Sequence, residues 1–163
     1  MQKIAFGKKY EGLNIDPESP AQEILKSFAS YADIKIHNVV VCILDRPRHK
    51  NLIETVRSTG ARIKLINDGD VSAVIATSIE DSGVDMYMGT GGSPEGVLAA
   101  AALRCIGGKI YGKLIFENEE QIERSKSMGI SDSKKFYNTN DLASGILPSL
   151  ASFKPVTSLI ICK

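Results

Sequence analysis

Residues 38–49 read Asn38-Val39-Val40-Val41-Cys42-Ile43-Leu44-Asp45-Arg46-Pro47-Arg48-His49, and the change of character at Asp45 decides the fold. The run that ends at Leu44 is continuously apolar and rich in β-branched residues, the pattern of a strand covered on both faces. Polar and proline-stiffened residues follow, then a helix whose apolar face is Leu52, Ile53 and Val56 and which Gly60 stops. The same unit repeats downstream. Residues 62–66 predict a strand, Asp68-Gly69-Asp70 a turn, and 71–79 a helix. Residues 84–88 predict a further strand, followed by Gly89-Thr90-Gly91-Gly92 and a helix from Ser93 to about Cys105 that Ile106-Gly107-Gly108 ends. A strand over 109–116 comes next, then an Asn118-capped, mostly exposed helix over 119–128 closed by Gly129.

Upstream, Ser19-Pro20-Ala21-Gln22 predicts a helix start, with Ser19 as cap, Pro20 in the first turn and Gln22 completing a capping box. Ile24, Leu25, Phe28 and Ala32 then share one face. Alternation of strands and helices predicts an α/β fold: a layered, largely parallel sheet with flanking helices, in a single domain over 1–163. Residues 147–155 hold two prolines and no clear period, and 158–162 predict a terminal strand without an assigned function.

The chain has 163 residues, 43% hydrophobic and 24% charged, which excludes disorder and suffices for a core without disulfides or a structural metal. Twenty basic and 19 acidic side chains give a net charge of +1. Neither a basic excess nor a basic stripe is present, so a nucleic-acid partner is not expected, and an anionic ligand must be held locally. The longest apolar run, 97–103, is far short of the roughly 20 residues that span a bilayer, and the N-terminus lacks a signal-peptide pattern. Cys42, Cys105 and Cys162 are odd in number, form no C-x-x-C and sit among apolar neighbours, which predicts buried reduced thiols in a cytoplasmic protein.

Ligands of parallel sheets bind beyond the carboxyl ends of the strands, and the unusual residues lie in those connections. Gly89, Gly91 and Gly92 permit positive φ and close approach of a ligand. Ser93 is placed to cap the next helix and Pro94 to occupy its first position, so that free N–H groups face an anion. A tight turn with glycines for packing alone is the plainer alternative. G-x-G-x-x-G fails at Pro94, and a P-loop lysine is absent. Glu95 favours the helix dipole, but beside a phosphate its carboxylate makes sense chiefly with a divalent cation between them. Arg46-Pro47-Arg48 offers two guanidinium forks on a stiff turn, suited to phosphate oxygens, where a solvated basic turn is the alternative. His49 reads as a turn or capping residue. Asp70 reads as a helix cap, while Asp68 is free to accept from sugar hydroxyls or stand behind a cation. Together these residues describe a site for a phosphorylated sugar.

At these residues the sequence resembles the class II fructose-1,6-bisphosphatases, the bacterial and cyanobacterial type that also acts on sedoheptulose-1,7-bisphosphate. The matching segments are Lys3-Ile4-Ala5 with Gly7, Leu44-Asp45-Arg46-Pro47-Arg48-His49, Gly60-Ala61-Arg62-Ile63, Asp68-Gly69-Asp70-Val71, and Gly89-Thr90-Gly91-Gly92-Ser93-Pro94-Glu95-Gly96-Val97. Ala99-Ala100-Ala101, Arg104 and Met128-Gly129-Ile130 continue the match, which covers about residues 1–145. The resemblance implies the C-terminal half of an inositol-monophosphatase-like sugar phosphatase fold. It implies metal-dependent hydrolysis of the 1-phosphate of fructose-1,6-bisphosphate to fructose-6-phosphate, with Mn²⁺ or Mg²⁺. It further implies that Arg46, Pro47, Arg48, Asp68, Gly69, Asp70 and Gly92 contact substrate and that Glu95 binds metal. Family members are considerably longer, and their N-terminal half carries most of the acidic metal ligands. The expected partners are therefore a sugar bisphosphate, further copies of the chain in a homo-oligomer, and that N-terminal half. A non-catalytic sugar-phosphate-binding module, or an inactive fragment of the enzyme, is the alternative.

Overall fold

The computed structural model describes residues 1–127, 129, 130, 132 and 134–144. Its elements are β1 (Gln2–Gly7), α1 (Ala21–Tyr31), β2 (Val40–Leu44), α2 (Lys50–Ser58), β3 (Arg62–Ile66), α3 (Asp70–Ala76), β4 (Met86–Thr90), α4 (Ser93–Ile106), β5 (Gly108–Lys113), α5 (Glu119–Ser127), β6 (Phe136–Tyr137) and α6 (Thr139–Leu142). Six strands make one sheet in the order β3-β2-β4-β1-β5-β6. β2 runs parallel to β3 and β4. β1 is antiparallel to both β4 and β5, and β6 is antiparallel to β5. The expectation of a largely parallel sheet is thus corrected. The helix-linked strands β2, β3, β4 and β5 all point one way, but β1, unassigned from sequence, is inserted against them between β4 and β5.

Period-2 alternation distributes the strand side chains over two cores. Ile4, Phe6, Val41, Ile43, Met86 and Met88 pack against Ile24, Leu25 and Phe28 of α1 and Ile53 and Val56 of α2. On the opposite face Ala5, Cys42, Tyr87 and Ile110 meet Ala73 and Val74 of α3 and Ala99, Ala100 and Leu103 of α4. Small residues dominate this second layer, which lets the helices approach the sheet closely.

Several expected boundaries move for identifiable reasons. β4 begins two residues later than the predicted strand because the Asp85 carboxylate accepts the Val40 N–H at 2.8 Å, standing in for a ladder carbonyl. β4 also extends through Gly89 and Thr90, which pair with Lys3 and Gln2. β5 ends at Lys113, opposite Gln2, where its antiparallel partner β1 begins. At α1 the predicted capping box is absent: Pro20 is the N-cap, and Ser19 Oγ donates to Asp16 Oδ2 at 3.2 Å. α3 is shorter than predicted because Ser78 and Ile79 bond back three residues, to Ile75 and Ala76, which tightens its last turn. Asn118 does accept from the Gln121 N–H at 2.9 Å, at the start of α5. Gly60 at φ +84° and Gly107 at φ +90° stop α2 and α4 in backbone conformations that glycine adopts freely. Cys42 is buried and free as expected, but Cys105 is exposed on α4. Cys162, the strand predicted over 158–162 and the proline-bearing stretch 147–155 lie outside the described residues.

Candidate functional site

The chain leaves β2 for α2 on the first face, forms β3 at the edge, then crosses by α3 on the second face to β4 on the other side of β2. Strand order therefore reverses between β2 and β4. Such a reversal opens a crevice beyond the strand ends, because the two flanking connections depart toward opposite faces. The turns 45–49 and 91–92 straddle this crevice, the turn 67–69 follows the neighbouring β3, and antiparallel β1 starts at the same end.

The Arg-Pro-Arg turn folds as a short 3₁₀ segment, Pro47–His49, after an extended Arg46. Arg48 is brought to the glycine-rich turn: its Nε donates to the Thr90 carbonyl at 2.9 Å. Arg46 Nη1 donates to its neighbour's Asp45 carbonyl at 3.2 Å and makes no bond to that turn. Pro47 is exposed and shapes the turn. His49 stands at the turn as expected, but its ring is 2% exposed and hydrogen-bonded to Leu44 and Thr90.

Asp70 does not cap α3. Gly69, at φ +86°, is the N-cap, and Asp70 is the first helical residue. Its Oδ2 accepts from Lys3 Nζ at 2.5 Å, with Lys3 1% exposed and Asp70 12% exposed. Asp68 is exposed, and its Oδ1 accepts the Gly69 N–H at 2.8 Å.

The glycine-rich turn differs from expectation in how it uses its glycines. Gly89, Gly91 and Gly92 are absent from the positive-φ positions; these glycines serve close approach. A Cβ on Gly91 would stand 2.6 Å from Asp70 Oδ2 and 3.2 Å from Lys3 Nζ. A Cβ on Gly89 would stand 3.1 Å from the Tyr87 hydroxyl. Gly92, not Ser93, is the N-cap of α4, so Ser93 and Pro94 occupy its first two positions. Glu95 is exposed, and its carboxylate folds back so far that a Cβ on Gly92 would collide with it. β1 and β4 pair one step further, the Gly91 N–H donating to the Met1 carbonyl at 3.0 Å.

The electrostatics report the same convergence. Burial lowers the Met1 amine below its ordinary value, Lys3 and Arg48 push it the same way, and Glu95 and Asp70 oppose them. Four charged groups from four segments thus act on one point. The Tyr87 hydroxyl is raised far above its usual value, first by burial and then by Asp70 and Cys42, against Arg48. It stays a neutral donor, and it is a buried side-chain atom with no hydrogen-bond partner among the described residues. A cleft of about 170 Å³ opens beside the rim, lined by Lys3, Arg48, His49, Thr90, Ser19 and Leu52 among others. A larger cavity of about 570 Å³ lies against the carboxyl end of α4, around Arg104, Lys109 and Asn138, away from the predicted site residues.

Arg48, Asp70, Gly92 and Glu95 are therefore gathered at one rim with Gly91, while Arg46 and Asp68 stand at the same end of the sheet without bonds into it. Sequence reasoning missed Lys3, the one charge in Lys3-Ile4-Ala5-Phe6 and a signal that an ion pair lies within, and Tyr87, which reads as an ordinary core aromatic. For a divalent cation, the described residues hold no group of three or more His, Cys, Asp or Glu side chains placed to bind one. Glu95 offers one carboxylate, and Asp70 is engaged by Lys3, so these side chains do not build a metal site by themselves.

Over residues 1–151 the sequence matches the family described as bacterial fructose-1,6-bisphosphatase, glpX-encoded. A D-fructose 1,6-bisphosphatase class 2/sedoheptulose 1,7-bisphosphatase from Synechococcus elongatus is 41% identical over 157 residues, covering 89% of this chain and 45% of that protein. Proteins with the same description from Synechocystis sp. and Trichodesmium erythraeum are 40% and 41% identical, covering 89% and 81% of this chain. The chain spans about 45% of the length of the first two relatives and 42% of the third. With the family match running through every loop of the rim, the chain belongs to the glpX-encoded bacterial fructose-1,6-bisphosphatases.

Proposed function

We propose that this chain supplies the sugar-phosphate grip of a metal-dependent phosphatase that hydrolyses the 1-phosphate of fructose-1,6-bisphosphate. The observation that carries the reading is the clamp at the β2–β4 crevice, where Arg48 is anchored at 2.9 Å on Thr90 while the Lys3–Asp70 pair lies under Gly91. A guanidinium held through Nε keeps both Nη groups for phosphate oxygens, each such charge-assisted bond being worth about 1.5–3 kcal/mol. Arg46 would join it from the same turn, with Pro47 holding the two forks apart. Asp70, its Oδ2 fixed by Lys3, keeps Oδ1 for a sugar hydroxyl, and Asp68 with Gly69 would take another. Gly92 would admit the ligand to the start of α4, where backbone N–H groups favour an anion.

Glu95 would be this chain's ligand to Mn²⁺ or Mg²⁺, and the remaining ligands would come from the further half that the longer relatives possess. Homo-oligomeric assembly and a cytoplasmic setting belong to the same proposal; the free thiols Cys42 and Cys105 suit a reducing compartment. The second reading, a sugar-phosphate-binding module without turnover, is favoured by that single unpaired carboxylate. Phosphate release from fructose-1,6-bisphosphate with Mn²⁺ or Mg²⁺ separates them, measured for the chain alone and mixed with the N-terminal half of the Synechococcus elongatus relative. Turnover in the mixture supports the enzyme; tight binding without turnover in either supports the module; no binding in either contradicts both. In a mixture that turns over, Glu95→Gln is expected to abolish metal-stimulated release while leaving sugar-phosphate binding within about threefold, a separation checked by calorimetry beside the assay.

A further inference from the structure

The parallel ladder between β2 and β4 is short. Only Val41↔Met86 and Cys42↔Tyr87 pair, whereas β2 stays paired with β3 through Leu44↔Ile66, and the Asp45 N–H still bonds to the Ile66 carbonyl at 2.8 Å. β2 therefore parts from β4 just below the crevice. The His49 ring, 2% exposed, fills the gap. The Thr90 N–H donates to Nε2 at 2.8 Å, so Nε2 is the acceptor. The ring proton must then sit on Nδ1, which donates to the Leu44 carbonyl at 2.7 Å. The Thr90 carbonyl, 3.1 Å from Nε2, accepts instead from Arg48 Nε at 2.9 Å. Consecutive residues of the Arg-Pro-Arg-His turn thus hold both backbone groups of Thr90, the residue that leads into Gly91 and Gly92.

We propose that His49 is a positioning residue for the phosphate grip: its neutral imidazole replaces the missing β2–β4 rungs and sets the spacing between the Arg48 turn and the glycine-rich turn. This rests on the function proposed above, since it is the gripped phosphate that needs the spacing. A phenylalanine would fill the gap yet leave the Thr90 N–H and the Leu44 carbonyl without partners. Glutamine offers an acceptor and a donor on one planar amide.

The test uses the full chain, with fructose-1,6-bisphosphate and Mg²⁺ as probe. Nitrogen-15 NMR of the parent is expected to show the His49 proton on Nδ1; a proton on Nε2 overturns the proposal without any variant. His49→Phe is expected to bind the probe about tenfold more weakly and to exchange its Thr90 amide about tenfold faster, the scale of one buried hydrogen bond lost. His49→Gln should recover most of both. The Ile110 amide, bonded to Thr139 Oγ1 at 2.9 Å in the second core, should exchange as in the parent. Parent-like binding and Thr90 exchange in His49→Phe overturn the positioning role alone, as does equal loosening at Ile110. A parent chain that binds no probe, either alone or mixed with the N-terminal half of the Synechococcus elongatus relative, overturns the functional reading and the positioning role with it.

Discussion

Lys3 and Asp70 hold the same ion pair but keep different amounts of water, 1% against 12% exposure. Stranding the deeper charge is the more costly change, because a partly exposed carboxylate regains hydration and a sealed ammonium does not. Asp70→Asn is therefore expected to destabilise the chain by about 3 kcal/mol and Lys3→Met by about 1–2 kcal/mol, read from urea midpoints. The reverse order would show that Asp70 is the better-sealed partner. Arg48→Ala should weaken fructose-1,6-bisphosphate binding by at least about tenfold, the loss of one charge-assisted contact, with calorimetry as the check. Affinity equal to the parent's would remove Arg48 from the grip. The residue types at the rim were legible in the sequence; their partners were not. Asp70 looked like a cap because an acid before a helix usually is one, but the cap position fell to Gly69, which adopts φ +86° freely. Lys3 gave no local sign of its partner 67 positions away.

At the scale of the element, the glycine-rich turn separates two glycines that look alike in sequence. A methyl on Gly91 meets Asp70 Oδ2 at 2.6 Å and Lys3 Nζ at 3.2 Å, both fixed by their ion pair. The nearest atoms to a methyl on Gly92 are those at the far end of the exposed Glu95 side chain, which can swing away. Gly91→Ala is thus expected to cost about 1–3 kcal/mol and Gly92→Ala less than about 0.5 kcal/mol, compared by thermal unfolding. Equal losses would mean that the turn, not the ion pair beneath it, sets the constraint. Helix faces were legible because apolar spacing encodes them directly, as with Ile24, Leu25 and Phe28 or Ile53 and Val56. Strand ends were less so, since side chains and partner length set them. Asp85 replaces a rung at the start of β4, and β5 stops opposite the first residue of β1.

For the whole molecule, the direction of β1 was the illegible feature. Alternating strands and helices announce parallel crossovers, but a strand entering between β4 and β5 carries no signal of its orientation. The crevice depends on strand order too, since it lies where β2 meets β4 rather than β3. Buried phenols give the fold a second property. Tyr10 is pushed up to about 12 from the usual 10.0 of a phenol, first by burial, then by the Asp85 charge and the hydrogen bond that the Tyr10 hydroxyl donates to Asp85. Tyr87 and Tyr111 are raised by burial as well. The folded state keeps protons that the unfolded chain releases, so stability is full below pH 10 and falls as pH rises toward about 12. Tyr10→Phe should flatten part of that decline in urea midpoints taken across the range; an unchanged slope would place the titration elsewhere.

In the proposed function, the turns at the β2–β4 crevice bind a phosphorylated sugar together. Amide NMR of the isotope-labelled chain, titrated with fructose-1,6-bisphosphate and Mg²⁺, tests it most directly. Shifts concentrated at 45–49, 68–70 and 90–96 are expected. Shifts confined to Arg104, Lys109 and Asn138 around the larger cavity, or no shifts at all, would contradict it.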